Sequence, residues 1–298
     1  MKIFDCFMFC DEEMLLDIRL NTLNKFIDKF IIVESTFTHS GKKRDLVFDF
    51  KKFQKFKNKI NYLVVEKPPE DIEIINTYDD ERTKETKTIL NACKRENEQR
   101  NSILNLLGPA DPNDQIIISD VDEIPNLENI NFNTIKNKII LFNQKMFYYK
   151  FNLLLENMSW HGSKSCKMKN LISPQWLREV KDKKYPLWRV DTYFSKKKYH
   201  DILFVQDGGW HFTNIKTPEE IDKKLRSYLH HIEYEQSNIG PNEIDKMIKE
   251  KKPVYDLMAN SSEAKDRSQT KLKTINTNEL PNYLRENKEK FTNWILKN

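Results

Sequence analysis

The chain has 298 residues, of which 38% are hydrophobic and 32% are charged, a composition typical of a globular protein with a sizeable core. Its net charge of +5 comes without a long basic run, which argues against nucleic-acid binding and suits an anionic small substrate. The four cysteines are scattered, and the sequence has neither a signal-peptide pattern nor an apolar run of about 18 residues. We therefore expect a cytoplasmic protein without a membrane span.

The first half of the sequence alternates between strand-like and helix-like segments. Strands are predicted for residues 2–9, 30–34 and 61–65 and from Ile116 onward, and helices for 12–26 and 84–107. Gly108-Pro109 ends the second helix. This alternation predicts an α/β fold with a mostly parallel central sheet and helices on both faces.

The second half follows a different pattern. Strands are predicted for residues 139–142, 145–154 and 203–206, and the chain beyond Pro218 reads as helical and strongly charged. Without an internal repeat or a low-complexity linker, we expect a catalytic domain over 1–235 and a helical C-terminal extension over 236–298 packed on it.

An apolar strand ending in carboxylates is the most informative feature of the chain. Three isoleucines predict a buried strand, and Asp120 and Asp122 follow where that strand emerges. Alternate side chains of an extended chain share a face, so both carboxylates can point into one crevice while Val121 points into the core. Oxygen donors at this spacing suit Mg²⁺ or Mn²⁺ with free positions for phosphate oxygens. The alternative is a solvated acidic turn.

Other candidate binding residues occur at a second strand end and on the long helix. Glu34 and Ser35 end the 30–34 strand, and a basic loop that includes Arg44 follows. A carboxylate there can accept hydrogen bonds from a ribose or a base, and the loop can meet phosphate, unless it is an ordinary solvated loop. The guanidinium of Arg100 can hold a diphosphate, although an intrahelical pair with Glu96 is the simpler interpretation.

A second candidate segment runs from Asp207 through two glycines to Trp210 and His211. The glycines allow close backbone approach, Trp210 offers a flat platform for a sugar or base, and His211 can complete a metal shell begun by Asp122. A core histidine is the alternative for His211. Asp207 can be a general base or a structural turn aspartate, and Glu123 and Asp191 are competing bases.

These segments together resemble a known family. The ordered set FDCFMF (4–9), LLDIRLN (15–21), FIIVES (30–35), THSG (38–41), EQRN (98–101), ISDVDEIP (118–125), FYY (147–149) and GGWHF (208–212) resembles glycosyltransferase family 17. The resemblance covers about residues 3 to 234, with a weaker match at 280–284. As an ordered set it is far more specific than any single motif.

The resemblance implies a GT-A type nucleotide-sugar-binding fold, a divalent cation (Mn²⁺ or Mg²⁺) and UDP-N-acetylglucosamine as donor, with inversion to a β linkage on a glycan acceptor. It implies that Asp120 and Asp122 contact the metal and the ribose-diphosphate, and that His211 is a later metal ligand. It also implies that Glu34 and Arg100 contact the nucleotide. The acceptor and the oligomeric state stay open.

Two other functions fit parts of the pattern. A haloacid-dehalogenase-like phosphatase would use Asp120 as nucleophile and Asp122 as acid/base, although that class usually carries these acids on its first strand. A non-catalytic sugar-binding module would stack sugars on Trp210 and the Tyr148 region. A calcium loop is weaker, because Ile124 and Pro125 stand where an acid and a glycine are needed.

Overall fold

The computed structural model describes residues 1–226, 234, 239–254 and 271–297. Its strands are β1 Ile3–Phe9, β2 Lys29–Ser35, β3 Ile60–Val65, β4 Gln115–Asp120, β5 Glu123–Pro125, β6 Ile139–Phe142, β7 Gln144–Tyr148, β8 Leu153–Trp160, β9 Lys164–Lys167, β10 Ile202–Val205, β11 Gly209–Thr213 and β12 Lys273–Thr274. Its α-helices are α1 Glu13–Leu23, α2 Glu81–Asn101, α3 Pro174–Glu179, α4 Pro218–Leu225, α5 Pro241–Lys249 and α6 Asn282–Glu286.

The central sheet has the strand order β10-β6-β9-β4-β1-β2-β3. Strands β3, β2, β1 and β4 are parallel, β9 is antiparallel to both β4 and β6, and β10 is parallel to β6. Six of its seven strands therefore run in one direction. The predicted α/β class with a mostly parallel central sheet is confirmed.

Side-chain alternation along the central strands divides the core into two layers. Ile117 of β4 packs with Phe7 of β1 in the layer that includes α1. Ile116 and Ile118 point to the other face, where they pack with side chains of residues 103–107 and with Leu177 of α3. Because both faces are covered, the strands are apolar on both sides, as in parallel sheets generally.

A second sheet has five strands, in the order β12-β8-β7-β11-β5. Strand β4 ends at Asp120 in the central sheet, and β5 begins at Glu123 in the second sheet. Val121 and Asp122 therefore lie where the chain passes from one sheet to the other. Strand β11 pairs antiparallel with β5, which places His211 opposite Glu123.

Two parts of the second half differ from the sequence prediction. The predicted strand over 145–154 is two strands, β7 and β8, because the chain turns at Tyr149, whose φ is 61°. The C-terminal part contains α5 and α6 but also β12, which pairs with β8, and core side chains such as Leu284 and Phe291. The boundary at 235 stays a prediction. None of the helices in the described ranges is long and apolar enough to cross a membrane.

Candidate functional site

A cleft of about 390 Å³ opens where β1, β2 and β4 end. Among the residues that line it are Cys10, Asp11 and Glu12 after β1, Thr38 and His39 after β2, Gln99 and Arg100 of α2, Asp120 and Asp122 after β4, and Lys223 and Lys224 of α4. The carboxyl ends of parallel strands are the usual place for a ligand in open α/β sheets.

Asp122 lines this cleft, and His211 lies next to Asp122 behind the lining. Asp122 Oδ2 lies 3.7 Å from His211 Nε2 and 3.9 Å from Lys224 Nζ. Burial by itself raises the pKa of Asp122, but His211 and Lys224 lower it below its ordinary value. The Nδ1 of His211 is buried and has no hydrogen-bond partner among the described residues.

These two side chains fit a divalent cation of the kind that completes its shell with substrate oxygens. Among the described residues, no group of three or more His, Cys, Asp or Glu side chains is placed to hold a metal alone. Mg²⁺ and Mn²⁺ are commonly held by one or two protein ligands together with substrate phosphates. Asp122 and His211 supply such a pair, with a carboxylate already ionised.

Asp120 occupies a different environment from Asp122. Its Oδ1 accepts a hydrogen bond from Arg100 Nη2 at 3.1 Å, and its Oδ2 accepts one from Arg178 Nη2 at 2.9 Å. Burial raises the pKa of Asp120, but the two arginines together hold it well below the ordinary value. Each Asp120 oxygen accepts an arginine hydrogen bond, which leaves its second lone pair as the site at which a metal would bind.

Arg178 also binds Glu123, which is fully buried. Arg178 Nη1 donates to Glu123 Oε2 at 2.6 Å, and the indole of Trp160 donates to Glu123 Oε1 at 2.7 Å. The Asp120 N–H donates to the same carboxylate at 2.7 Å. A Cβ at Gly162 would lie 2.1 Å from Glu123 Oε1, so glycine is required there. The predicted catalytic residue Glu123 is thus placed as an internal anchor behind Asp120.

Arg19 fixes the backbone of the β4–β5 turn from inside the protein. It is fully buried and forms a two-point ion pair with Asp5, at 2.5 and 2.8 Å. Its Nη1 donates to the carbonyl oxygens of Asp120 at 3.0 Å and Glu123 at 2.7 Å. Because these bonds span the turn, Arg19 determines where Asp122 projects.

The residues predicted at the end of β2 hold their own loop. Glu34 is fully buried and accepts hydrogen bonds from Arg44 at 3.0 Å, from Tyr62 at 2.8 Å and from the Val47 N–H at 2.8 Å. Arg44 also donates to the carbonyl oxygens of Ser35 and Cys10. The structure therefore ties Glu34, Ser35 and Arg44 together, with Arg44 at the wall of the cleft.

Arg100 makes the intrahelical pair with Glu96 that its spacing predicted, and it makes two further contacts. It pairs with Glu96 at 2.8 Å within α2 and with Asp120 at 3.1 Å across the cleft, and it also donates to Gln175 of α3. Its buried Nε has no hydrogen-bond partner among the described residues. Arg100 therefore has one buried donor left over at the wall of the cleft.

Asp207 and Trp210 lie away from the cleft lining. The Asp207 side chain is 85% exposed and lies 3.8 Å from Lys145 Nζ. Asp207 precedes Gly209, the first residue of β11. The Trp210 indole donates to the Glu279 carbonyl at 2.7 Å. Gly209 has φ of +133°, and a Cβ there would lie 2.1 Å from the Ile124 carbonyl. The close approach that Gly209 allows is thus to strand β5.

Several site residues were not singled out from the sequence. Arg178 lies on the short helix α3, and no sequence motif distinguishes it from the other arginines of the chain. Lys224 of α4 lines the cleft at 3.3 Å from Glu12, and Lys216, just before α4, lies 2.9 Å from the lining residue Asp11. Arg19 stands within the LLDIRLN segment, but its role depends on contacts about 100 residues away along the chain. Only the folded arrangement reveals these roles.

Comparison with known proteins supplies the family. A sequence model described as glycosyltransferase family 17 matches residues 1–297. No curated protein sequence matches this chain significantly. A solved structure from Bacillus anthracis, described as a glucose-1-phosphate thymidylyltransferase in complex with sucrose, is 10% identical, with 69% of this chain and 86% of that chain covered at a TM-score of 0.32. A likeness of that size supports no conclusion about activity.

Proposed function

We propose that this chain, which belongs to glycosyltransferase family 17 and is a glycosyltransferase, transfers N-acetylglucosamine from UDP-N-acetylglucosamine to a glycan hydroxyl. In this proposal the transfer inverts the configuration at the anomeric carbon and requires a divalent cation. The observation that carries the proposal is the pairing of His211 with Asp122, which lines a cleft that also contains cationic side chains. A nucleotide diphosphate bound to a cation is the ligand chemistry that such a cleft complements.

Asp122 and His211 would hold the cation, with Asp120 beside them. When bound, the cation neutralises charge that develops on the departing diphosphate, a contribution of several kcal/mol to the transition state. Asp122 is suited to this task because its lowered pKa keeps it ionised near neutral pH. His211 would bind through Nε2, the ring nitrogen that faces Asp122.

The remaining charge of the diphosphate would be met by side chains of the cleft wall. Lys223 and Lys224 line the cleft from α4, and Arg100 lines it from α2. On the β2 side, His39 Nε2 lies 3.2 Å from Gln99 Oε1, and burial lowers the pKa of His39, so it is neutral near pH 7. A neutral polar wall next to a cationic one suits a nucleoside joined to a diphosphate.

An inverting transfer needs a base on the face of the sugar opposite the leaving group. The three carboxylates considered for this role, Asp207, Glu123 and Asp191, lie outside the cleft lining, and Asp191 is paired with Arg189 at 2.6 Å. A base role for Asp207 therefore requires the acceptor to extend to the outer end of β11. If it is the base, Asp207→Asn lowers kcat about a hundredfold with unchanged UDP affinity; near-normal turnover assigns the role elsewhere.

The experiment that tests the proposed function is a donor panel. The purified chain is incubated with Mn²⁺ and, separately, UDP-N-acetylglucosamine, UDP-glucose, GDP-mannose and CMP-sialic acid, and nucleotide release is measured with and without glycan acceptors. We expect release from UDP-N-acetylglucosamine that rises with acceptor and stops in excess chelator. Release from GDP-mannose instead would overturn the donor assignment, and full release in chelator would overturn the metal requirement.

A further inference from the structure

Residues 181–200, which we call the basic aromatic loop, carry an unusual combination of charge and exposed apolar surface. The loop contains seven lysine or arginine and two aspartate residues, a net charge of +5 with histidine neutral, which equals the net charge of the whole chain. Five of its apolar side chains are 65% to 86% exposed: Leu187, Trp188, Val190, Tyr193 and Phe194. Apolar clusters of this kind on a protein surface mark an interaction site.

The loop is held in this conformation by internal hydrogen bonds. The Trp176 indole of α3 donates to the Lys196 carbonyl at 2.5 Å, and the Lys181 N–H donates to the Lys197 carbonyl at 2.7 Å. His200 Nδ1 lies 3.0 Å from the Tyr185 carbonyl oxygen. Since the backbone is tied at several points, the exposed side chains are a fixed feature of the surface.

The charges of the loop are only partly balanced within the protein. Arg189 and Lys198 pair with Asp191, and Lys197 pairs with Glu179. Lys181, Lys183 and Lys196 form no salt bridge in the described part of the chain. Excess positive charge therefore surrounds the aromatic side chains.

We propose that the basic aromatic loop docks the protein on the surface of an anionic lipid bilayer. Tryptophan, tyrosine and phenylalanine favour the boundary between headgroups and acyl chains, and lysines near the surface are attracted to anionic lipids. Stable peripheral binding takes two such signals, and this loop supplies both. A second copy of the chain fits poorly, because a symmetric contact would bring two surfaces of charge +5 together.

The docked orientation has a structural consequence for the cleft. The helix α3, which holds the loop through Trp176, also carries Arg178, whose side chain contacts Asp120. One short rigid element thus connects the bilayer-facing surface with the wall of the cleft.

The test is co-sedimentation with vesicles of phosphatidylcholine alone and with an equimolar mixture of phosphatidylcholine and phosphatidylglycerol. The wild-type chain binds the anionic vesicles, and added salt weakens the binding. Trp188→Ser/Phe194→Ser and Lys183→Glu/Lys196→Glu each lower vesicle binding roughly tenfold. The matched control is Ile74→Ser/Tyr78→Ser, since Ile74 and Tyr78 are 76% and 83% exposed and do not belong to the basic aromatic loop.

Circular dichroism and light scattering accompany each variant. Unchanged spectra together with the expected loss support the proposal, and they do so whether or not the chain transfers any sugar. Absence of wild-type binding, equal binding to neutral vesicles, or unchanged binding of both loop variants overturns it. Loss of self-association in the loop variants without vesicle binding also overturns it, in favour of a second copy.

Discussion

Asp122 is the residue on which the proposed chemistry most depends. Its carboxylate faces His211 and Lys224, whereas Asp120, two residues earlier, is bound to two arginines. The two aspartates of one motif therefore have separate surroundings. Their spacing in the sequence predicted that Asp120 and Asp122 face one crevice. Which of the two carboxylates is bound by Arg100 and Arg178 is visible only in the structure.

Asp122→Asn should abolish transfer while preserving the fold, because it removes the charged ligand and changes few contacts. We expect kcat/KM to fall at least about a hundredfold and Mn²⁺ binding in the presence of UDP to be lost in calorimetry. The control is Asp201→Asn, whose carboxylate contacts Asn137 and the Lys138 N–H outside the cleft lining. A folded Asp122→Asn protein with full activity would contradict the prediction.

Arg178→Met should strongly destabilise the protein, because it leaves Glu123 buried without its cation. Burial alone lowers the pKa of Arg178, but Asp120 and Glu123 raise it above its ordinary value, which identifies a tightly held ion pair. Removing one partner of such a pair costs about 3–5 kcal/mol in the free energy of unfolding. Urea unfolding measures this loss.

The comparison for that measurement is Arg189→Met. Arg189 also pairs at 2.6 Å, with Asp191, but both side chains are more than 40% exposed. Exposed pairs contribute about 0–1 kcal/mol, so we expect little change. Equal losses in the two variants would show that burial of Glu123 is not the cause.

At the scale of elements, the C-terminal end of helix α3 is held by a lysine of strand β9. Lys164 of β9 donates to the carbonyl oxygens of Arg178 and Val180 at 2.6 Å each, which satisfies the C-terminal end of α3. This contact fixes the backbone from which Arg178 reaches the cleft.

The stability contributed at Lys164 should depend on pH. Burial, followed by Arg178, lowers the pKa of Lys164 from 10.5 to about 8. Between these values the unfolded chain binds more protons than the folded one, so this contribution to stability rises with pH, by about 2 kcal/mol from pH 7 to pH 9.5. Urea unfolding of wild type and Lys164→Met at both pH values isolates the effect. A difference between the two proteins that is independent of pH would refute it.

The sequence predicted elements well where apolar patterns were long and continuous. Strands β1, β2, β3 and β4 and helix α1 were located within a few residues, because each is rich in apolar residues that pack in the core. The predicted end of the second helix was wrong: α2 ends at Asn101 rather than at residue 107, and its buried side chains are mostly polar, so no apolar face marks its end. The short strands β6 and β10 were predicted because they are continuous apolar runs. The short strands β5, β9, β11 and β12 were missed, since their apolar residues are interrupted by polar residues, proline or glycine. The turn after β7 was missed because aromatic residues continue through it and Tyr149 adopts a positive φ.

For the site, as for the elements, the sequence predicted what local patterns show and missed what depends on contacts between distant residues. Asp120 and Asp122 were predicted to share one crevice because strand-end carboxylates are visible locally, and both line the cleft. Arg100 also lines it, although spacing alone favoured its pair with Glu96, which is present as well. The supporting contacts of Arg19 and Arg178 were not predicted, since each joins residues that are tens to about 100 positions apart. Asp207 was grouped with His211 because the two are close in sequence, but Asp207 lies exposed before β11 begins, whereas His211 is buried within β11.

At the scale of the whole molecule, the cleft joins distant parts of the chain. Its lining comes from the ends of β1 and β4 in the central sheet and from α4, which packs in the core cluster of the second sheet. A ligand that bridges these parts binds only the folded protein. Such a ligand therefore raises the apparent stability of the whole molecule by mass action.

UDP with Mn²⁺ should stabilise the protein more than GDP or CMP with Mn²⁺. At a UDP concentration about one hundred times its Kd, we expect a gain of about 2.7 kcal/mol in the apparent free energy of unfolding. The gain should disappear in chelator and in Asp122→Asn, and it should persist in Asp201→Asn, because only the first substitution changes the cleft. Thermal and urea unfolding with each nucleotide measure it. A larger gain with GDP would contradict the uridine assignment, and an equal gain without metal would contradict the role of Asp122 and His211 as ligands.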